Sequence, residues 1–269
     1  SLQPVSEGVF ILSVDITGRK KAQESLVRIN RELDQRAEEL KVSNAELERF
    51  AYVASHDLQE PLRMVSSFLQ LLEKKLDGKL DETTRQYIDF AVDGSERMKK
   101  LIQDLLRYSR VGTSREGITE VDCNAVMQAV QADLALAIGE AKATLQVKPL
   151  PVIRAVYAQM VQVFENLVGN ALKYHGDRPP VIDVGCVDKG AVWEFYVKDN
   201  GIGIDPRYMD KIFVLFQRLH SRIAYSGTGI GLSICKKIVE KHGGHIRAES
   251  IPGQGSTFLF TIPKQTGHE

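Results

Sequence analysis

Cysteine is scarce in this chain: Cys123, Cys186 and Cys235 are its three thiols, widely separated along 269 residues. An odd number without metal-ligand spacing excludes a disulfide scaffold and a structural zinc site. They read as small buried hydrophobes in a reducing compartment. No apolar run approaches the roughly 20 residues that a membrane-spanning helix needs, and no signal peptide is present. A surplus of either charge is also lacking, because 35 basic residues balance 35 acidic ones. Nucleic-acid binding and polybasic attachment to a membrane surface therefore have no support. Between Gly18 and Gly78 there is no glycine, and between Pro4 and Pro61 no proline. A turn-rich domain cannot occupy that stretch, but a long helix can.

What fills the stretch is a heptad pattern. Leu26, Leu33, Leu40 and Leu47 recur every seven residues, with Asn30, Ala37 and Asn44 at the alternate seam position. Leucine at one core position and asparagine at the other favours a parallel two-stranded coiled coil, and hence a homodimer. Ahead of it, residues 8–14 (GVFILSV) read as a short strand. Beyond it, Phe50, Val53, Ala54, Leu58, Leu62, Val65, Leu69 and Leu72 continue at helical spacing. Asp77-Gly78-Lys79 interrupts the helix, and Asp81 is placed to cap a second one carrying Ile88, Val92, Met98, Leu101, Ile102, Leu105 and Leu106. Two helices joined by a short turn make a hairpin, and two hairpins from two chains make a four-helix bundle. The polar segment 112–117 (GTSREG) reads as a linker. After it the texture changes to strands at 145–148, 181–187, 192–198, 245–250 and 256–262. Helices at 124–138, 157–175 and 231–242 alternate with them, which indicates helices layered on one mixed sheet.

Several clusters carry chemistry. In the run Ser55-His56-Asp57-Leu58-Gln59-Glu60-Pro61, a histidine lies inside an amphipathic helix beside an acid. Pro61 lacks the N–H that would bond the carbonyl of Asp57, so a kink is expected just past His56. A neutral imidazole is a good nucleophile that a neighbouring carboxylate can orient or deprotonate. Farther on, Asn166 and Asn170 stand four residues apart on one helix face, where amide oxygens can hold Mg²⁺, and Lys173 offers a cation to phosphate. Asp199 ends an apolar strand and is followed by Gly201, Gly203 and Ile204; an acid there can accept from an exocyclic amine. The run from Gly227 and Thr228 through Gly229, Ile230 and Gly231 to Leu232 opens a helix and offers backbone N–H groups to an anion. It is neither a Walker A loop nor a dinucleotide fingerprint. The segment 253–258 (GQGSTF) reads as a hairpin turn. Trp193 reads as packing, and His242, before Gly243-Gly244, as a helix C-terminus.

Taken together and in this order, these clusters resemble the sensor histidine kinases of two-component systems, whose ATP-binding half belongs to the GHKL superfamily. The ASHDLQEPL variant looks most like the phytochrome-type and PAS-linked kinases, and the segment 14–17 is similar to the end of a PAS domain. The resemblance implies a multidomain chain. An all-α hairpin forms a four-helix bundle as a dimer, with an N-terminal coiled coil, and joins an α/β (α+β) sandwich of GHKL ATPase type. The implied boundaries are 1–19 for the remnant of an upstream PAS-like sensory domain, 20–50 for the signalling helix and 51–112 for dimerisation and phosphotransfer. They continue with 113–120 for a linker and 121–266 for the catalytic domain.

By the same resemblance His56 is the phospho-acceptor and Asp57 its base, while Arg218 reaches the γ-phosphate. Asn166, Asn170, Lys173, Tyr174, Asp199, Gly201, Gly203 and Ile204 would contact ATP, as would Phe216, Gly227, Thr228, Gly229, Gly231, Leu232 and Thr257. Asn170 is the implied Mg²⁺ ligand, Tyr174 packs on adenine, and Phe213 and Phe216 match an aromatic box within a mobile stretch. The partners implied are a second copy of the chain, a response-regulator receiver domain and the upstream sensory domain, in the cytoplasm. Glu60 stands where many relatives carry threonine or asparagine, which argues against dephosphorylation by that route. Asn166 stands where gyrase-like ATPases hold a glutamate base, which argues for transfer to histidine rather than to water. Two other readings stay open: a scaffold that binds nucleotide without catalysis, and a clamp-type ATPase.

Overall fold

The computed structural model describes residues 2–4, 10–12, 17–76, 81–113, 117–217 and 227–264. The chain divides into two compact units, residues 1–50 and 51–269. In the first unit β1 (Leu2–Pro4) pairs antiparallel with β2 (Phe10–Leu12). β2 falls within the strand expected at 8–14, whereas the PAS-like segment lies mostly outside the described residues. Helix α1 (Thr17–Lys75) begins here and runs into the second unit. Leu26 and Leu33 of the expected heptad seam are 62% and 59% exposed, on a stretch whose described residues from 20 to 39 are all exposed. The side chains of Leu40 and Leu47 lie outside the described set.

In the second unit α1 continues without interruption through Pro61. Helix α2 (Glu82–Thr113) starts as its sequence dictates, with the backbone N–H of Thr84 donating to Asp81 Oδ1 at 2.7 Å. It runs two residues into the segment expected to be linker. Strand β3 (Thr119–Asp122) leads into α3 (Cys123–Asp133), capped by Asp122, which accepts from the N–H of Asn124. The single helix expected at 124–138 breaks at Leu134 (φ −97°, ψ 6°) and resumes as α4 (Ala135–Glu140). No glycine or proline marks that break.

Next come β4 (Thr144–Val147), β5 (Val152–Ala155), α5 (Tyr157–Lys173), β6 (Val181–Asp188) and β7 (Val192–Asp199). After a 3₁₀ turn at Pro206–Tyr208 follow α6 (Gly231–Lys241), β8 (Ile246–Ile251) and β9 (Gly255–Pro263). The main sheet has the order β4-β6-β7-β9-β8, parallel between β4 and β6 and antiparallel elsewhere, while β3 and β5 form a small pair.

Helices α5 and α6 cover one face of this sheet because alternate strand residues are apolar and point at them, and α3 packs on α5. Phe195 and Phe260, cross-strand partners, stack with centroids 5.0 Å apart. The ring of Phe164 on α5 meets Phe195 and Phe260 edge-on at 5.8 and 5.4 Å. Cys123 and Cys235 are buried in this core and Cys186 is half-buried, all three as free thiols. Burial pushes the Cys123 and Cys186 thiols up to about 12, so neither is poised to react.

Candidate functional site

Helix α5 presents a polar stripe at helical spacing: Gln162, Glu165 and Asn166, Gly169 and Asn170, then Lys173. Opposite the stripe stand the end of β7, the loop after it and the start of α6. Between them lies a cavity of about 380 Å³, within the range of small-molecule sites.

At its floor sits Asp199, 9% exposed. Its Oδ1 accepts two backbone N–H groups, from Gly201 at 2.8 Å and from Ser256 at 3.1 Å. Both donors go to one oxygen, which leaves Oδ2 to accept from a ligand. Removal from water raises the carboxyl above its ordinary value, against the lowering pull of those two bonds. Close backbone packing builds the floor. A Cβ at Gly201 would collide with the carbonyl of Tyr174, and one at Gly203 (φ +69°) with the carbonyl of Ile251. The Ile202 N–H donates to Tyr174 O at 3.0 Å and closes this turn.

The opposite end holds the Lys173 cation and is rich in backbone donors. Lys173 Nζ donates to the Tyr174 hydroxyl at 2.9 Å and would lie 2.6 Å from a Cβ placed on Gly227. Asn166 turns its amide N–H₂ onto the carbonyl of Gln162, leaving its Oδ1 against Gly231, where a Cβ would stand 2.7 Å away. The open N-terminus of α6 begins at that glycine, with no side-chain cap. An acceptor that fits an exocyclic amine at one end and a cationic, N–H-rich end at the other describe the two poles of a nucleotide.

Of the residues singled out from the sequence, Asn166, Asn170, Lys173, Tyr174, Asp199, Gly203, Ile204, Gly227, Thr228, Gly229, Gly231 and Leu232 line the cavity. Three do not. Gly201 lies behind Asp199. Thr257 points to the other face of β9, because the two-residue period of the strand puts Ser256 and Phe258 on the cavity side. Phe216, at φ 62°, is 56% exposed, although its neighbour Gln217 reaches the cavity. Phe213 packs against the core. Arg218 lies outside the described residues. His56 is helical in α1, but its side chain is outside the described set; Asp57 and Glu60 are exposed on the same helix.

Residues unmarked by the sequence also line the site: Gln162, Glu165 and Gly169, Ser256 and Phe258, and three from α2, Lys100, Asp104 and Arg107. The α5 group could have been found by extending the Asn166–Asn170 spacing by one turn. The α2 group could not, since it depends on how that helix docks. The docking combines apolar and polar contacts: Val111 is buried in the core with Leu101 and Tyr108 against it, Lys237 Nζ donates to Tyr108 O at 3.1 Å, and Val111 O accepts from Lys241 at 2.7 Å and from Gln159 at 3.3 Å.

Residues 46–114 match the His Kinase A (phospho-acceptor) domain, and residues 155–266 match the family of histidine kinase-, DNA gyrase B-, and HSP90-like ATPases. This chain belongs to the sensor histidine kinases. The phytochrome-like protein Cph1 of Synechocystis sp. is 48% identical over 245 residues, which is 91% of this chain and 33% of that protein. Sensor protein kinase WalK of Staphylococcus saprophyticus is 35% identical, over 81% of this chain and 37% of its own length. Among solved structures, full-length ShkA in complex with AMPPNP aligns with a TM-score of 0.61 at 25% identity, over 80% of this chain and 45% of that one. The chain spans about a third of the length of its phytochrome relatives. Among the described residues no helix is long and apolar enough to cross a membrane.

Proposed function

We propose that this kinase chain binds Mg·ATP in the cavity over Asp199, moves the γ-phosphoryl group to its own His56, and passes it to an aspartate of a response-regulator receiver domain. The observation that carries the reading is Asp199 itself: a buried carboxylate, fixed through one oxygen by two backbone N–H groups, at the floor of a cavity whose far end holds Lys173 and the open N-terminus of α6. The adenine amine donates to Asp199 Oδ2, and the phosphates reach Lys173 and the N–H groups opening α6. Asn170, with Asn166 beside it, supplies an amide oxygen for Mg²⁺, which suits an ion that keeps its waters and takes few protein ligands. When bound, the metal neutralises phosphate charge during transfer.

Neutral His56 then attacks the γ-phosphorus. A P–N bond forms, the bond to the β-bridging oxygen breaks, ADP leaves, and the imidazole proton passes to Asp57. Little covalent chemistry is asked of the protein beyond positioning and charge. The exposed seam leucines of α1 support a parallel dimer, and the phytochrome relatives support an upstream sensory module. The boundaries proposed remain 1–19, 20–50, 51–112, 113–120 and 121–266.

Incubation with γ-labelled Mg·ATP, followed by addition of receiver domains, tests the proposal. Label on the protein that chases to a receiver is expected. Free phosphate without labelled protein would indicate a clamp-type ATPase, and binding without either would indicate a scaffold.

A further inference from the structure

On one face of α2, Lys100, Asp104 and Arg107 follow at four and then three residues and line the cavity with alternating charge. Asp104 is half-buried there, and Thr228 Oγ1 donates to its Oδ2 at 2.6 Å. Thr228 belongs to the glycine-rich approach to α6, one residue beyond the Gly227 that packs on Lys173. The carboxylate thus occupies the end of the cavity where the phosphates belong. It is no wandering side chain, since three hydrogen bonds onto the carbonyls of Tyr108 and Val111 pin the same helix one to two turns farther on.

We propose that Asp104 is an internal competitor of the nucleotide's phosphate tail: it takes the hydroxyl of Thr228 that a phosphate oxygen would use, and thereby sets the site's discrimination between phosphorylated and bare adenosine. The proposal rests on reading the cavity as an ATP site. Two effects act in one direction. A carboxylate on Thr228 satisfies the donor in advance, so a phosphate gains nothing there until the bond breaks. Its charge also repels a polyanion across a partly desolvated cavity, where screening is weak. Removing that charge while keeping Lys100 and Arg107 turns the α2 wall from mixed to cationic. Adenosine, held at the Asp199 end, feels neither effect.

The test is calorimetric titration of the whole chain with Mg·ATP, ADP and adenosine, in wild type, Asp104→Asn and Asp104→Ala. Wild type is expected to bind all three. Both variants are expected to bind ATP about tenfold more tightly, the equivalent of about 1.4 kcal/mol. Their adenosine affinity is expected to stay within about twofold, which also reports that the site has folded. A further variant, Lys100→Glu with Arg107→Glu, is expected to shift ATP the other way. Unchanged or weaker ATP binding in variants that hold adenosine normally would overturn the role of Asp104 and leave the ATP site standing. Failure of wild type to bind any of the three would overturn the nucleotide reading itself, and this inference with it.

Discussion

The backbone N–H of Ser256 donates to Asp199 Oδ1 at 3.1 Å, tying the first turn of β9 to the last residue of β7. The carboxylate is therefore both a structural acceptor and the floor of the nucleotide site, and the two roles use different oxygens. Asp199→Asn separates them. Asparagine keeps an oxygen for Gly201 and Ser256 and removes a charge whose burial is unfavourable, so the urea midpoint should hold or rise. Its N–H₂ would face the adenine amine, donor against donor. ATP affinity should fall by about 100-fold, the range for losing a hydrogen bond to a charged group in a buried site. Titration calorimetry and urea unfolding read the two effects separately.

Gly203 gives a second case in which geometry leaves little freedom. Its φ of +69° and the closeness of the Ile251 carbonyl both oppose a side chain. Gly203→Ala should destabilise the catalytic domain by about 2 kcal/mol or more, from left-handed strain plus a backbone clash, and should weaken ATP binding with it. Gly190 also has positive φ (+78°) but has open space around it. Gly190→Ala should cost only the smaller, strain part, about 1 kcal/mol. Denaturant unfolding of the pair isolates the clash.

Acid sensitivity should centre on His242. Its Nε2 accepts the N–H of Val156 at 3.1 Å, so Nδ1 carries the proton and donates to Ile238 O at 2.8 Å. That clips the end of α6 to the start of α5. Burial, with a smaller contribution from the Lys241 charge, lowers its pKa below the ordinary 6.5. A lowered folded value means that the unfolded chain binds the proton first. The clip is therefore fully stabilising above pH 6.5 and is lost as pH falls through the lowered value. Thermal midpoints should drop between about pH 7.5 and about pH 5.5, and His242→Gln should flatten that drop.

Much of this was legible in the sequence, for identifiable reasons. The strands at 181–188, 192–199 and 255–263 were readable because one buried face leaves an alternating pattern over eight or nine residues. Strands β3 and β5 went unread; they pair only with each other, apart from the main sheet whose β4, equally short, was expected. Asn166, Asn170 and Lys173 share a helix face by their spacing, and they pointed to a site only together with the acid and glycine clusters that follow them. Thr257 was chosen over Ser256 by a single residue, and in a strand one residue decides the face. Lys100, Asp104 and Arg107 had no local signature, because only the docking of α2 on α6 brings them to the cavity. Phe216, read as an ATP contact, is exposed and does not line the cavity.

The account turns on His56 as the acceptor of the γ-phosphoryl group. The direct measurement is incorporation from γ-labelled Mg·ATP into wild type and His56→Ala, with the label characterised by its lability in acid. Wild type should carry acid-labile, alkali-stable label, and the variant none, while both bind ATP equally. Acid-labile label persisting in His56→Ala would contradict the account.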